Sequence, residues 1–212
     1  MTEPTAREAV LGRIRDALEL APPRRQPVAR AYRTGRTLPD DERLALFTGR
    51  LADYRAGVRV CTTAATAEAV AGALEAHGAR RIGVPPGLDR AWLEPFGGEV
   101  LVDSDAVSPR MLDGLDAVVT ASAAGCAETG TVLLDGSPDQ GRRALSLVPD
   151  VHVLVVDLST VAAGVPEALA LLVPGRPATL VSGPSATSDI ELERVEGVHG
   201  PRTLEVVLRT DA

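Results

Sequence analysis

The sequence predicts a layered α/β/α domain with a mostly parallel sheet, preceded by an N-terminal helical appendage and an extended arm. Three observations carry that reading. Val151-His152-Val153-Leu154-Val155-Val156 is a nearly continuous apolar run, the pattern of a strand covered on both faces. From Arg59 onward, strand-like runs alternate with segments of helical periodicity. The 212 residues suffice for one sizeable domain with a real core, and the 45% apolar content is that of a globular chain.

Thr5-Ala6-Arg7-Glu8 has capping-box spacing, and Val10, Leu11, Ile14, Ala17 and Leu18 follow on one helical face. An amphipathic helix of about four turns is expected, and its apolar face needs a covering surface on the body or on a partner. Residues 22–36 hold five Arg, three Pro and no acid, which makes them an extended arm. Such an arm either lies over an acidic body or docks on an acidic partner. The expected division is therefore 1–38 for helix and arm and 39–212 for the α/β domain.

Asp40-Asp41-Glu42 places carboxylates at a helix start, followed by Leu44, Phe47, Leu51 and Tyr54, with Gly57 as the expected stop. Arg59 to Thr62 reads as a strand, and Thr63 as the cap of a helix ending near Gly78. Arg81 to Val84 and Val100 to Val102 are strands, with a short helix around Leu88 to Leu93 between them that turns Trp92 inward. Ser108-Pro109 is an N-cap and first helical position. Asp116 to Thr120 and Thr131 to Leu134 are strands flanking a bare stretch of small residues, 121–131, that presents Glu128. Pro166 opens a helix carrying Leu169, Leu172 and Val173. Ala178 to Val181 and Leu204 to Leu208 close the set of strands, and there is no internal repeat.

Composition excludes several chemistries. All 22 basic residues are Arg, so neither a Schiff base nor a P-loop phosphate grip can operate. Cys61 and Cys126 cannot ligate a four-Cys cluster and read as small buried hydrophobes. His77, His152 and His199 lack metal-ligand spacing, so no metal site is expected. His152, preceding a buried run, reads as a hydrogen-bonded edge residue. Residues 1–59 carry 12 Arg against 8 acids, and residues 60–212 carry 10 against 21. An acidic body with no aromatic residue after Phe96 disfavours nucleic acid. No apolar run approaches the roughly 20 residues of a membrane span, and the polar start lacks a signal-peptide pattern; a cytoplasmic location is the expectation.

Four loop clusters could meet at a site: Glu128 with Thr129, Gly130 and Thr131; Arg142 with Ser146; Ser182, Gly183, Ser185, Thr187, Asp189 and Glu191; and His199. They offer a carboxylate, a guanidinium, hydroxyls and backbone amides, an inventory suited to a small anionic ligand. Arg142 is either a fork for a ligand carboxylate or the partner of an acid in the chain. Glu128 is either a site carboxylate or the tip of a tight crossover.

Ala127-Glu128-Thr129-Gly130-Thr131, Gly141-Arg142 to Ser146-Leu147-x-Pro149 with His152, Ser182-Gly183-Pro184-Ser185-x-Thr187-x-Asp189-Ile190-Glu191 and Gly197-Val198-His199-Gly200-Pro201 resemble the LUD-domain family, in an order and with an ending similar to its lactate-utilisation C branch. The resemblance is strongest over residues 117–208. It implies a NagB/RpiA/CoA-transferase-like fold and a part in oxidising L-lactate to pyruvate, with the iron–sulfur centres in partner subunits and no cofactor on this chain. A small carboxylate ligand and a homo-oligomer are compatible with it. By analogy of fold, Glu128 could instead be the nucleophile of a CoA-transferase-like enzyme or the base of a sugar-phosphate isomerase, and a carboxylate-binding regulator is a third reading. The lack of Lys speaks against the folate cyclo-ligase branch. Cys126 stands where the family usually has an aliphatic residue, which gives the thiol no role.

Overall fold

Residues that gain most from burial on both sides set the architecture. The computed structural model describes residues 5–21, 27–33, 35–184, 186–187, 195–196 and 200–211. The chain begins with helices α1 (Ala6–Leu20) and α2 (Asp40–Asp53), then strand β1 (Gly57–Cys61) and helix α3 (Thr66–Ala76). Strands β2 (Arg81–Val84) and β3 (Glu99–Val102), helix α4 (Pro109–Asp113) and strand β4 (Ala117–Thr120) follow. Next come β5 (Ala124–Cys126), β6 (Thr131–Leu134), β7 (Val151–Asp157), β8 (Val161–Ala162) and helix α5 (Val165–Ala170). The chain closes with β9 (Thr179–Val181), β10 (Ala186–Thr187), β11 (Val195–Glu196) and β12 (Thr203–Arg209).

Six of these strands form one sheet in the order β1-β12-β7-β4-β2-β3. Every neighbouring pair is parallel. The apolar run of β7 lies inside it, buried at each position from Val151 to Val156. Alternate residues serve the two faces. Val153, Val155, Val119 and Val207 meet Val70 and Leu74 of α3 on one side. Leu154, Val156, Val206 and Leu208 meet Phe47 and Leu51 of α2 on the other, together with Ala127, Val132 and Leu134. The fold is thus a layered α/β domain with a mostly parallel sheet, as the sequence predicts.

A second sheet, β8-β5-β6-β9, is the main departure. The small-residue stretch is not a bare loop: Ala124–Cys126 pairs with β6 antiparallel and with β8 in parallel. The absence of side chains at Gly125 is a packing requirement, since a Cβ there would lie 2.9 Å from Val161 and 3.3 Å from Phe47. Small size therefore signals two layers pressed together, not an open approach. Cys126 is buried, as expected, and Cys61 is half-buried.

Other local expectations shift for identifiable reasons. Helix α2 stops before Gly57: Arg55 takes the left-handed conformation at φ 64°, and Gly57 already belongs to β1. Thr63 opens a 3-10 turn, and α3 starts only at Thr66. Helix α5 ends at Ala170, four residues before Pro174-Gly175, leaving Leu169 and Val173 exposed. No helix among the described residues is long and apolar enough to cross a membrane.

The chain divides into two compact units, Met1–Tyr32 and Arg33–Ala212. In the first, α1 carries the capping box: Thr5 Oγ1 accepts from the Glu8 amide at 3.4 Å, and Glu8 Oε2 accepts from the Thr5 amide at 2.8 Å. None of its residues is buried, and Val10, Ile14 and Leu18 are each at least half exposed. Thr5→Ala should therefore weaken α1 locally by about 1 kcal/mol. Hydrogen exchange of the α1 amides should accelerate while the melting temperature of the α/β domain stays put.

Candidate functional site

Strands β5 and β6 are joined by a four-residue turn, 127–130, with Glu128 at its tip. Gly130 closes the turn at φ 61°, and a Cβ there would sit 2.7 Å from Arg50 Cβ and 2.8 Å from the Arg50 backbone carbon. Beyond it, hydroxyls form a chain. Thr129 Oγ1 and Thr131 Oγ1 are 2.7 Å apart, and Thr131 Oγ1 and Ser182 Oγ are 2.8 Å apart. That chain fixes the turn to the segment following β9.

Glu128 faces the arm. Arg33 Nη2 donates to Glu128 Oε1 at 2.9 Å and to Oε2 at 3.1 Å, while Arg36 Nη1 lies 3.0 Å from Oε1. The Arg33 hydrogen bond, opposed by desolvation and helped by the charges of Arg33 and Arg36, holds the Glu128 carboxyl below its usual range. Glu167 lies beside it and accepts the Arg36 backbone N–H at 3.1 Å, which depresses its own pKa. The two carboxylates converge on Gly164, where a Cβ would meet Glu167 Oε2 at 2.7 Å and Glu128 Oε2 at 3.3 Å. Of the two fates considered for the arm, its last arginines take the acidic body.

Arg142 does not meet Glu128. Its Nε and Nη2 each donate at 2.8 Å to the two oxygens of Asp103, and Nη2 also donates to the Val107 carbonyl at 2.5 Å. Asp103 is only 4% exposed, so the guanidinium fork is filled by a carboxylate of the chain itself. The pair lies along a cavity of about 750 Å³ that also reaches Asp135, Ser137 and Arg176. Burial pushes the Asp135 carboxyl up, but hydrogen bonds from Ser137 and the charge of Arg176 outweigh it and leave the pKa lowered.

A second cavity, of about 280 Å³, gathers Arg143, Ser146, His152, Thr179, Ser182, Gly183, Pro184, Gly200 and Pro201. His152 is no edge residue: it lies within β7 at the centre of the sheet, 1% exposed, with Nε2 2.8 Å from Thr120 Oγ1. Burial, and secondarily the charge of Arg143, push its pKa down to about 3, so the ring is neutral at physiological pH. Ser146 Oγ lies 3.2 Å from both the Arg143 carbonyl and Arg143 Nη1. Gly183, at φ 81°, lets the chain pass Tyr54, whose Cβ would be 2.5 Å from an added side chain. The cavity can thus offer hydroxyls and a neutral imidazole to a small polar ligand.

The structure brings Ser146, Ser182 and Gly183 to this cavity. It links Thr129 and Thr131 to it through Ser182 and leaves Glu128 outside its lining. Thr187 lies in β10, and Ser185, Asp189, Glu191 and His199 lie outside the described residues. The sequence reading singled out neither Asp103, Glu167 nor Thr120. None has a motif; each becomes visible only when the sheet places it opposite Arg142, Arg36 or His152. Arg33 and Arg36 did carry a signal, two cations three apart in a segment free of acids.

Comparison with known proteins follows the same ground. The LUD domain profile matches residues 104–208. That span holds Glu128 and every residue lining the smaller cavity. The chain is 48% identical over 171 residues to a protein of Deinococcus radiodurans named Lactate utilization protein C, covering 79% of each chain. It is 38% identical over 92 residues to a protein of the same name from Bacillus licheniformis, covering 39% of this chain and 38% of that one. A crystal structure of a DUF162 family protein from Deinococcus radiodurans superposes with a TM-score of 0.70 at 40% identity, covering 81% of this chain and 99% of that one.

Proposed function

The chain belongs to the LUD-domain family, in its lactate utilization protein C branch, and we propose that it is the non-redox component of a system oxidising L-lactate to pyruvate. Oxidation of lactate releases two electrons, which need an acceptor. This chain's thiols do not suit a cluster: Cys126 is buried in the second sheet, and Cys61 lies in β1. Iron–sulfur subunits bound to this one would take the electrons. The exposed apolar face of α1, with Val10, Ile14 and Leu18, is the surface offered to them.

The observation that carries the reading is the smaller cavity, built wholly from the LUD-matching segment, where Ser146, Ser182 and neutral His152 surround space for a small hydroxy- or oxo-carboxylate. A free-standing CoA-transferase-like or isomerase-like enzyme would need Glu128 open to substrate. In this structure Arg33 and Arg36 take both of its oxygens, so that reading would need the arm to lift first.

The test is growth and reconstitution. A clean deletion should abolish growth on L-lactate as sole carbon source and leave growth on pyruvate intact. Lactate oxidation by the candidate iron–sulfur subunits should fall to background without this chain and return when it is added. Undiminished growth of the deletion on lactate would sink the proposal.

A further inference from the structure

The arm's contact with Glu128 has the build of a closure. Residues 35–39 carry no helix or strand before α2, and the segment crosses the carboxylates with Arg33 and Arg36 on the same oxygen of Glu128. Gly35, at φ 77° with nothing within 4 Å of an added Cβ, makes the turn that brings two arginines three apart onto one target. The Arg36 amide adds a tie to Glu167. Arg33 remains 66% exposed, and contacts of that kind are individually weak and screened by salt. A segment with no packed core of its own, held by exposed ion pairs, opens easily.

Glu128 and Glu167 approach each other at Gly164, and two like charges so placed favour a cation between them. With Arg33 and Arg36 in place, both Glu128 oxygens are spoken for. With them gone, the turn tip at 127–130 presents a carboxylate to solvent beside the segment that lines the smaller cavity.

We propose that Arg33 and Arg36 form a latch over the Glu128–Glu167 pair, and that the Glu128 carboxylate, a third exposed with the latch closed, is free to engage small molecules only when it opens. The latch rests on geometry alone and stands or falls separately from the lactate assignment.

Carboxyl footprinting of the full chain tests it, using a water-soluble carbodiimide with glycinamide and site-resolved mass spectrometry. In wild type at low ionic strength, Glu128 should label slowly relative to Glu94, an exposed acid that follows the 3-10 turn Arg90–Leu93. The R33Q/R36Q variant should raise Glu128 labelling by about fivefold, the scale expected for loss of exposed ion pairs, and leave Glu94 unchanged. Raising the ionic strength from about 0.01 M to about 1 M shortens the Debye length from about 30 Å to about 3 Å, and should raise Glu128 labelling in wild type in the same direction. This second arm needs no substitution and so is independent of any folding defect in the variant. Equal Glu128 labelling in wild type and variant overturns the latch. So does labelling that responds to the variant but not to salt, which would make the contact a fixed clamp.

Discussion

Arg142→Ala should lose about 1–3 kcal/mol of stability, because it leaves the buried Asp103 carboxylate without its donor. Asp103 is 4% exposed and takes two 2.8 Å bonds from Arg142. Removing one partner of a buried pair costs far more than replacing both, since the remaining charge keeps its desolvation penalty and loses its compensation. The same guanidinium satisfies the Val107 carbonyl, so that oxygen is left short of a donor as well. The companion variant Arg142→Met/Asp103→Leu should return to within about 1 kcal/mol of wild type. Urea denaturation of the single and double variants checks both statements. A stable Arg142→Ala protein would mean that the guanidinium's main partner is a ligand and not Asp103.

That pair illustrates where sequence reading reaches and where it stops. Strand β7 was legible because burial on both faces writes a nearly continuous apolar run, and α1 and α4 because Thr5 and Ser108 sit at cap spacing. Strand β5 was not. Ala124-Gly125-Cys126 has no strand-forming side chain, and its pairing exists only because β6 and β8 lie on either side. The partner of Arg142 lay 39 residues upstream with nothing to mark it.

The candidate site divides along the same line. Residue types were readable: hydroxyls, glycines, one carboxylate and an acid-free arm. Their grouping was not, because it depends on which strand ends the sheet order places together. Thus Ser146 and Ser182 share a cavity with His152, whereas Glu128, on the turn between β5 and β6, points to the arm. His152 looked like the edge of a strand because it stands second in its run. The register puts it opposite Val118 and Leu204, in the middle of the sheet.

Gly130→Ala should be the most disruptive single-methyl change in this region, costing about 2–4 kcal/mol. Two penalties add there. A residue with a Cβ pays about 1–2 kcal/mol to hold the left-handed conformation that Gly130 adopts at φ 61°. The new methyl would also stand 2.8 Å from the backbone carbon of Arg50, in the last turn of α2, whose backbone cannot swing aside as a flexible side chain would. Gly136 supplies the control. It has a similar φ of 72°, yet its nearest neighbour to an added Cβ is 3.9 Å away, so Gly136→Ala should pay the conformational penalty alone, about 1–2 kcal/mol. The difference between the two variants in chemical denaturation isolates the contact with α2. Because Thr129 and Thr131 flank this glycine, relief of the clash must move the turn, and the Thr131–Ser182 hydroxyl contact at 2.8 Å should break with it. Equal destabilisation by the two substitutions would mean that α2 yields at Arg50, and that the small side chains of this turn answer to backbone conformation alone.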